Sequence, residues 1–446
     1  MKRKKQTVNR RQFIKSVSAA AVGLAGFPSI VPASVLGRGN TVPPSDKIVM
    51  AGIGFGMMGI PNMQGFLEND DVHWVAVCDL DDQHLATAQN IVNRKYGNSD
   101  CKTYHDFREL FSRTDLDAVS IAVPDHWHAL LSIAAVKAGL DVYGEKPFTH
   151  SLAEGRALCN AVKSYGRIWQ TGSWQRSRDN FHRAAELVRN GRIGKILKVE
   201  VGLPSGHYDF AGTGGQETMG PPPSHLDYDF WLGPAPWAPY CPARVHMNWR
   251  WNMDLGGGQL MDWIGHHLDI AHWGLGKDRT GPVRVAGLGE YTRAGIWNSP
   301  TRYRTTATYA DGLPITIAGG HRDIESGTKW IGEYGWVYVD RGKFETHPAS
   351  LKDDFIGPGE IRLIHSRDHY RNFLDAVKSR QETITPAEIA HRSASVGHLC
   401  VIAIKLQREI RFDPSTETIL NDPEGSRLLA RSYRSPWPNI THEAVR

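Results

Sequence analysis

The sequence predicts an α/β plus α+β chain: a doubly wound half on a parallel sheet, then a half built on an open-faced antiparallel sheet. Three observations predict it. Apolar strands alternate with amphipathic helices from Ile48 to about Gln170, the signature of repeated βα units. A glycine turn, Gly54-Phe55-Gly56-Met57-Met58-Gly59, joins the first strand to the first helix. Beyond residue 280, short strands are separated by hairpin signals such as Asp311-Gly312, which join antiparallel neighbours. A chain of 446 residues exceeds one ordinary domain. The expected bounds are a leader at 1–37, the parallel-sheet domain at 46–171, the antiparallel-sheet domain at 172–411 and a tail at 412–446.

In order, Ile48-Val49-Met50-Ala51 reads as the first strand, and His73 to Cys78 as a second strand that ends on Asp79. Gln83 to Tyr96 and His105 to Phe111 read as helices, Ala118 to Val123 as a strand, His128 to Ala138 as a helix and Asp141 to Gly144 as a strand. A helix at 151–165, a strand at Arg167 to Gln170, a helix at 178–190 and a strand at Lys195 to Val201 follow. Leu203 to Asn248 is rich in Pro, Gly and aromatics; a loop so long inside a domain is commonly functional. A helix opens after Gly256-Gly257-Gly258 and runs to about Trp273. Strands are expected near Val283 to Tyr291, Thr305 to Tyr309, Leu313 to Ala318, Lys329 to Ile331 and Trp336 to Val339, then helices at His369 to Ser379 and Pro386 to Arg408.

The chain carries a formal charge of +5, but its basic excess is confined to the leader. Residues 1 to 37 hold seven Lys or Arg and no acid, which leaves 45 basic against 47 acidic residues elsewhere. No basic surface interleaved with aromatics remains, so nucleic acid is not an expected partner. The twin arginine Arg10-Arg11 and the Ala/Gly-rich stretch from Val17 to Ile30 resemble a twin-arginine export signal. The expected location is therefore the periplasm or outside, with the export machinery as a partner. Val31 to Gly37 offers no clean A-x-A cleavage site, which leaves an uncleaved membrane anchor open. Five scattered cysteines (Cys78, Cys101, Cys159, Cys241, Cys400) lack metal spacing, and buried thiols are expected.

The glycine turn sits between a strand and a helix, 20 residues ahead of Asp79 where counted from Gly59, and that context reads as dinucleotide binding. Gly54 would permit the tight turn, Gly56 would let the backbone N–H groups of Met57 and Met58 approach a pyrophosphate, and Gly59 would let helix and strand pack closely. Asp79 would accept from a ribose 2′-OH and repel a 2′-phosphate, which favours NAD over NADP. Residues after the parallel strands can face the nicotinamide: Pro124-Asp125-His126-Trp127-His128, and Glu145-Lys146-Pro147. A lysine there could hydrogen-bond a substrate hydroxyl or take its proton; the alternative is a solvated strand-end lysine. On the helix after the glycine triplet, Asp262, His266 and Asp269 fall at i, i+4 and i+7 and share a face. That face suits proton transfer with an orienting carboxylate, a merely structural role, or an O/N metal site. His267 and His272 add candidates. Arg176 and Arg250 could bind hydroxyls or a carboxylate, or form surface ion pairs.

These residues together resemble the glucose-fructose oxidoreductase / inositol dehydrogenase / MocA-like (Gfo/Idh/MocA) family, from about Lys47 through Arg411. The resemblance implies a Rossmann domain plus an open-faced sheet domain, with Lys146, Asp262 and His266 as the catalytic constellation. It also implies a cis Lys146–Pro147 peptide, sugar, glycoside or polyol substrates, and dimers or tetramers through the exposed sheet face; no resident metal is expected. One departure is that the family commonly has glycine two residues after the catalytic Asp, where this chain has Ile264 and then Gly265. An exported nicotinamide enzyme has no obvious cofactor supply and would have to keep its cofactor bound. Two enzymatic readings follow: an oxidoreductase that oxidises one sugar and reduces another carbonyl, and a glycoside-cleaving enzyme that oxidises, eliminates and re-reduces. A non-catalytic sugar-binding protein is the third.

Overall fold

The structure, a computed structural model, describes residues 42–441. The expected leader at 1–37 lies outside them. In the first half the strands are β1 (Ile48–Ile53), β2 (Val72–Cys78), β3 (Lys102–Tyr104), β4 (Ala118–Ile121), β5 (Asp141–Gly144) and β6 (Trp169–Thr171). The helices between them are α1 (Gly59–Leu67), α2 (Asp82–Tyr96), α3 (Phe107–Phe111), α4 (Asp125–Lys137) and α5 (Leu152–Tyr165). All six strands are parallel, in the order β3-β2-β1-β4-β5-β6. The chain reverses its winding between β1 and β4, and a crevice opens there at the carboxyl ends of the strands.

Local sequence sets most of these boundaries. Asp81 caps α2 by accepting from the N–H groups of Gln83 and His84, and Gly97 ends it in the left-handed conformation. Asp106 caps α3 and Ser151 caps α5. α4 starts three residues earlier than the sequence reading placed it, with Pro124 at its cap. It is buried on nearly every side, so its apolar periodicity carries no boundary signal, and Asp125, His126 and His128 fall in the first turn.

The second half comprises α6 (Asp179–Arg189), β7 (Ile196–Leu203), α7 (Tyr228–Leu232), α8 (Gly258–Leu275), β8 (Arg284–Glu290), β9 (Arg302–Thr308), β10 (Pro314–Gly319), β11 (Gly327–Gly332), β12 (Gly335–Val339) and β13 (Phe344–His347). α9 (His369–Ser379), α10 (Ala387–Leu406), β14 (Ile410–Asp413), β15 (Thr418–Ile419) and α11 (Pro423–Arg427) complete it. The nine strands run in the order β13-β12-β11-β7-β10-β9-β8-β14-β15. Every neighbouring pair is antiparallel except β7 with β10. The exception is topological: β10 and β11 flank β7 and run in opposite directions, so β7 must parallel one of them. β13, β14 and β15 escaped the sequence reading because each is two to four residues long, too short for an alternation to register.

One apolar core runs from the parallel sheet through α8 and α10 to the inner face of the larger sheet, and a second lies under α1 and α2. The segment from Leu203 to Asn248 has a small core of its own, in which Leu226, Tyr228, Trp231, Val245 and Trp249 pack with Leu80. It is stitched to the end of β2 by Asp82 N–H to His225 O (2.9 Å) and Asp227 N–H to Leu80 O (3.1 Å). Near the C-terminus, Trp437 packs edge-on against Trp127 at 4.8 Å and at a tilt against Phe230 at 5.3 Å. All five cysteines are buried free thiols. No described helix is long and apolar enough to cross a membrane.

The glycine turn shows two kinds of requirement. A Cβ at Gly59 would lie 1.9 Å from Gly54 O, whereas one at Gly56 would meet nothing within 4 Å. Gly59→Ala should therefore cost on the order of 2–3 kcal/mol by forcing α1 off β1, and Gly56→Ala should stay within about 0.5 kcal/mol while crowding the crevice. Urea unfolding of both variants checks this, and equal stabilities would contradict it.

Candidate active site

The crevice is lined on the parallel-sheet side by Gly54, Phe55, Gly56, Met57, Met58, Asp79, Pro124, Glu145 and Lys146. Its roof comes from the long segment, through Leu226, Trp231, His246, Trp249 and Arg250. Register explains the floor: Ile53 of β1 pairs with Ile121 of β4, so both strands release their chains side by side. Gly54 has φ +83°, and a Cβ there would lie 2.4 Å from Ala122 O. α1 begins beneath the turn with no side-chain cap on its first N–H groups, which leaves those donors and the positive helix end facing the crevice.

Asp79 ends β2 with both oxygens engaged, Oδ2 accepting from Phe55 N–H (2.7 Å) and Oδ1 from Asp81 N–H (3.0 Å). Its carboxylate thus braces the glycine turn as well as marking the ribose end. Burial raises its pKa, against the opposing pull of His84 and the two backbone N–H groups.

At the other end, β5 delivers Glu145 and Lys146, and the Lys146–Pro147 peptide is cis. Lys146 Nζ donates to Asp262 Oδ1 at 2.7 Å, and Arg250 Nε approaches the same oxygen at 3.4 Å. Burial alone would raise the Asp262 carboxyl, but the charges of Lys146 and Arg250 outweigh it and hold it below the ordinary range. Glu145 lies behind, accepting from Asn62 Nδ2 (2.9 Å), and burial shifts its pKa upward. Asp125 is pushed up to about 8, first by burial and then by the charge of Asp262. His266 follows Asp262 by one helical turn. Burial, then the charge of Lys146 and of Arg341, drive its pKa well below the ordinary value, so the ring is neutral near pH 7. Trp263 meets that ring edge-on at 5.4 Å. Gly265 faces the lysine, where a Cβ would sit 3.6 Å from Lys146 Cβ.

Lys146, Asp262 and His266 therefore converge, but five other expectations need correction. Gly59 lies beneath the crevice rather than on its surface, so it supports the turn. His128 is 3% exposed, and its ring nitrogens face Pro147 O (2.6 Å) and Val123 O (2.9 Å); it ties two strand ends together rather than touching the crevice. Arg176 is 2% exposed and bound to Asp269 (2.6 and 2.7 Å) and Asp278 (2.6 Å), a core ion network rather than a substrate contact. Asp269 is consumed by the same network, so only Asp262 and His266 of the predicted helix face serve the site. His272 meets Tyr309 OH in the core. Missed by sequence reasoning were His84 and His246 at the ribose end, and Trp174 and Arg341 near His266. The unusual composition of 203–248 was the available signal for His246, and nothing local marked Arg341.

A parallel-sheet crevice with a glycine cradle, an uncapped helix end and a strand-end acid, facing a Lys-Asp-His cluster, defines a nicotinamide-dependent oxidoreductase fold. The chain belongs to the Gfo/Idh/MocA oxidoreductase family: residues 47–173 match its NAD-binding Rossmann fold and residues 179–439 its C-terminal alpha/beta domain. A glycosyl hydrolase family 109 protein of Stenotrophomonas maltophilia is 28% identical over 237 residues, 52% of this chain and 49% of that protein. The chain thus spans about half the length of such curated relatives. Among solved structures, an aldose-aldose oxidoreductase from Caulobacter crescentus complexed with glycerol superposes with TM-score 0.58 at 19% identity, covering 82% of this chain and all of that one. Myo-inositol 2-dehydrogenase from Lactobacillus plantarum gives 0.57 at 19% identity, with 82% and 100% covered.

Two outcomes follow from these geometries. Asp125 has a folded pKa above its ordinary 3.8, so its stabilisation is whole below that pH and is lost as pH rises toward 8. Asp125→Asn removes the titration, and its stability should gain on wild type by up to about 1.4 kcal/mol per pH unit across that window; thermal unfolding that shows a pH-independent difference would contradict this. Arg176→Met strands the buried Asp269 and the partly buried Asp278 and should cost about 3–5 kcal/mol while leaving KM of the folded fraction unchanged. A raised KM at unchanged stability would instead return Arg176 to the substrate.

Proposed function

We propose that this protein oxidises a hydroxyl-bearing carbon of a sugar, glycoside or polyol, with Lys146, Asp262 and His266 handling the proton. The observation that carries it is the 2.7 Å Lys146–Asp262 pair at the carboxyl end of β5, with neutral His266 on the next turn of the same helix as Asp262. Gly54, Gly56, Met57, Met58, Asp79 and Pro124 would hold NAD along the crevice, and bound NAD would supply the hydride acceptor. Asp262 fixes the Lys146 ammonium, which retains N–H donors for the substrate oxygen. His266 is a neutral imidazole and can take the hydroxyl proton as the carbinol carbon gives up hydride. The twin-arginine leader supports export, and the roof lined from Leu226 to Arg250 supports a cofactor that stays bound, so that each hydride removed returns to a second carbonyl. Exposed Leu197 and Leu288 on the larger sheet support a homo-oligomer through that face.

A second reading is favoured by the family 109 relative: oxidation of a ring hydroxyl, elimination of the aglycone across the acidified neighbouring C–H, and return of the hydride. The same residues serve it, since both routes begin with the same proton and hydride removal.

Lys146→Ala and His266→Ala should each lower kcat about 10²–10⁴-fold on responsive sugars, with little change in bound nucleotide. Undiminished turnover would remove both from catalysis. Aglycone release from a glycoside with no net NADH would select the second reading.

A further inference from the structure

The sugar-oxidoreductase reading leaves open which sugars are taken, and the surroundings of His266 narrow them. A second hollow, lined by Trp174, Arg178, Asp179, Arg341 and Arg367 among others, borders the site at Trp174, whose ring lies 6.4 Å from that of His266. The Arg341 guanidinium lies 4.6 Å from the Trp174 ring centroid and 4.4 Å from that of Trp263, the same indole that meets His266 edge-on. Arg178 lies 4.7 Å from the Trp174 ring. Two guanidinium groups are therefore stacked on the indoles that flank the proton-accepting imidazole.

Neither is neutralised. Among the described residues no carboxylate comes within ion-pair distance of Arg341 or Arg178; Arg341 Nε donates only to Gln175 Oε1, at 3.3 Å. The neighbouring acids are occupied. Asp340 Oδ1 accepts the Arg341 backbone N–H (2.7 Å) and lies 3.6 Å from His267, Asp179 faces His365 and Arg367, and Asp262 is shared by Lys146 and Arg250. Asp125, raised toward 8, adds no full charge. Among the described residues nothing accepts from the terminal guanidinium nitrogens of Arg341 or Arg178, which leaves N–H donors suited to bidentate recognition of a planar or tetrahedral anion.

We propose that the substrate is an anionic sugar, carrying a carboxylate or a sulfate ester, whose charged group is met by Arg341 and Arg178 in the hollow beside Trp174 with a hydroxyl toward His266. The proposal rests on the sugar-oxidoreductase reading of the same site.

The test is a titration of the NAD-loaded full chain, followed by tryptophan fluorescence and calorimetry, with glucose and galactose as neutral probes, glucuronate and galacturonate as carboxylates, and glucose 6-sulfate as the sulfate. The expected result is binding of at least one acidic class about tenfold or more tighter than the neutral sugars. That margin should shrink as salt rises, be lost in Arg341→Gln, and be partly kept in Arg341→Lys. The better-bound class tells carboxylate from sulfate. Equal binding of neutral and acidic sugars, or a preference that survives both Arg341→Gln and Arg178→Gln, overturns the proposal. Transfer of C–H label to the nucleotide is read separately: a charge preference without transfer upholds the subsite and overturns the redox reading, and transfer from neutral sugars alone does the reverse.

Discussion

The ion pair between Lys146 and Asp262 is the constraint around which the site is arranged. It joins the end of a strand in one sheet to a helix packed on the other, so the position of the proton-handling groups depends on how the two halves share their core. A buried pair is a poor source of stability, because desolvation offsets the Coulomb attraction. Its value here is positional. Each partner fixes the other, and Arg250 from the roof adds a third point.

Burial around that pair sets the protonation states. His266 is kept uncharged by desolvation and by Lys146, while Asp262 is kept charged by the lysine and arginine beside it. Asp125 and Glu145, equally buried but without a cation in contact, move the other way. Neighbouring groups thus shift in different directions for reasons visible in their surroundings. The separation gives the site a base, an anchor and a hydrogen-bond donor near neutral pH. The crevice next to it follows a second principle, in which backbone donors and a helix end, rather than side-chain cations, face the position of the phosphates.

Much of this was legible in the sequence. The glycine turn and Asp79 stand at the spacing a dinucleotide demands, Asp262 and His266 share a helix face, and the parallel half follows from alternating apolar segments; that Lys146 joins the two as one site was implied by the family resemblance. What was hidden depends on burial and long-range pairing. Arg176 looked like a ligand-binding arginine, but its partners Asp269 and Asp278 lie about a hundred residues away, so sequence could not show it enclosed in the core. His128 stood in a promising turn, yet its ring faces backbone carbonyls, since α4 begins at Asp125 and takes His128 into its first turn. Arg341 follows β12 in an ordinary surface turn, and only the fold brings it beside Trp174 and Trp263.

The proposed chemistry requires hydride to leave a sugar carbon beside Lys146 and His266 and to reach nucleotide held in the crevice. The most direct measurement is to incubate the purified protein with C–H-deuterated sugars, denature it, and weigh the released nucleotide. Close to one NAD(H) per chain is expected, part of it carrying one deuterium. An empty protein, or bound nucleotide that never acquires deuterium from any sugar, would contradict it.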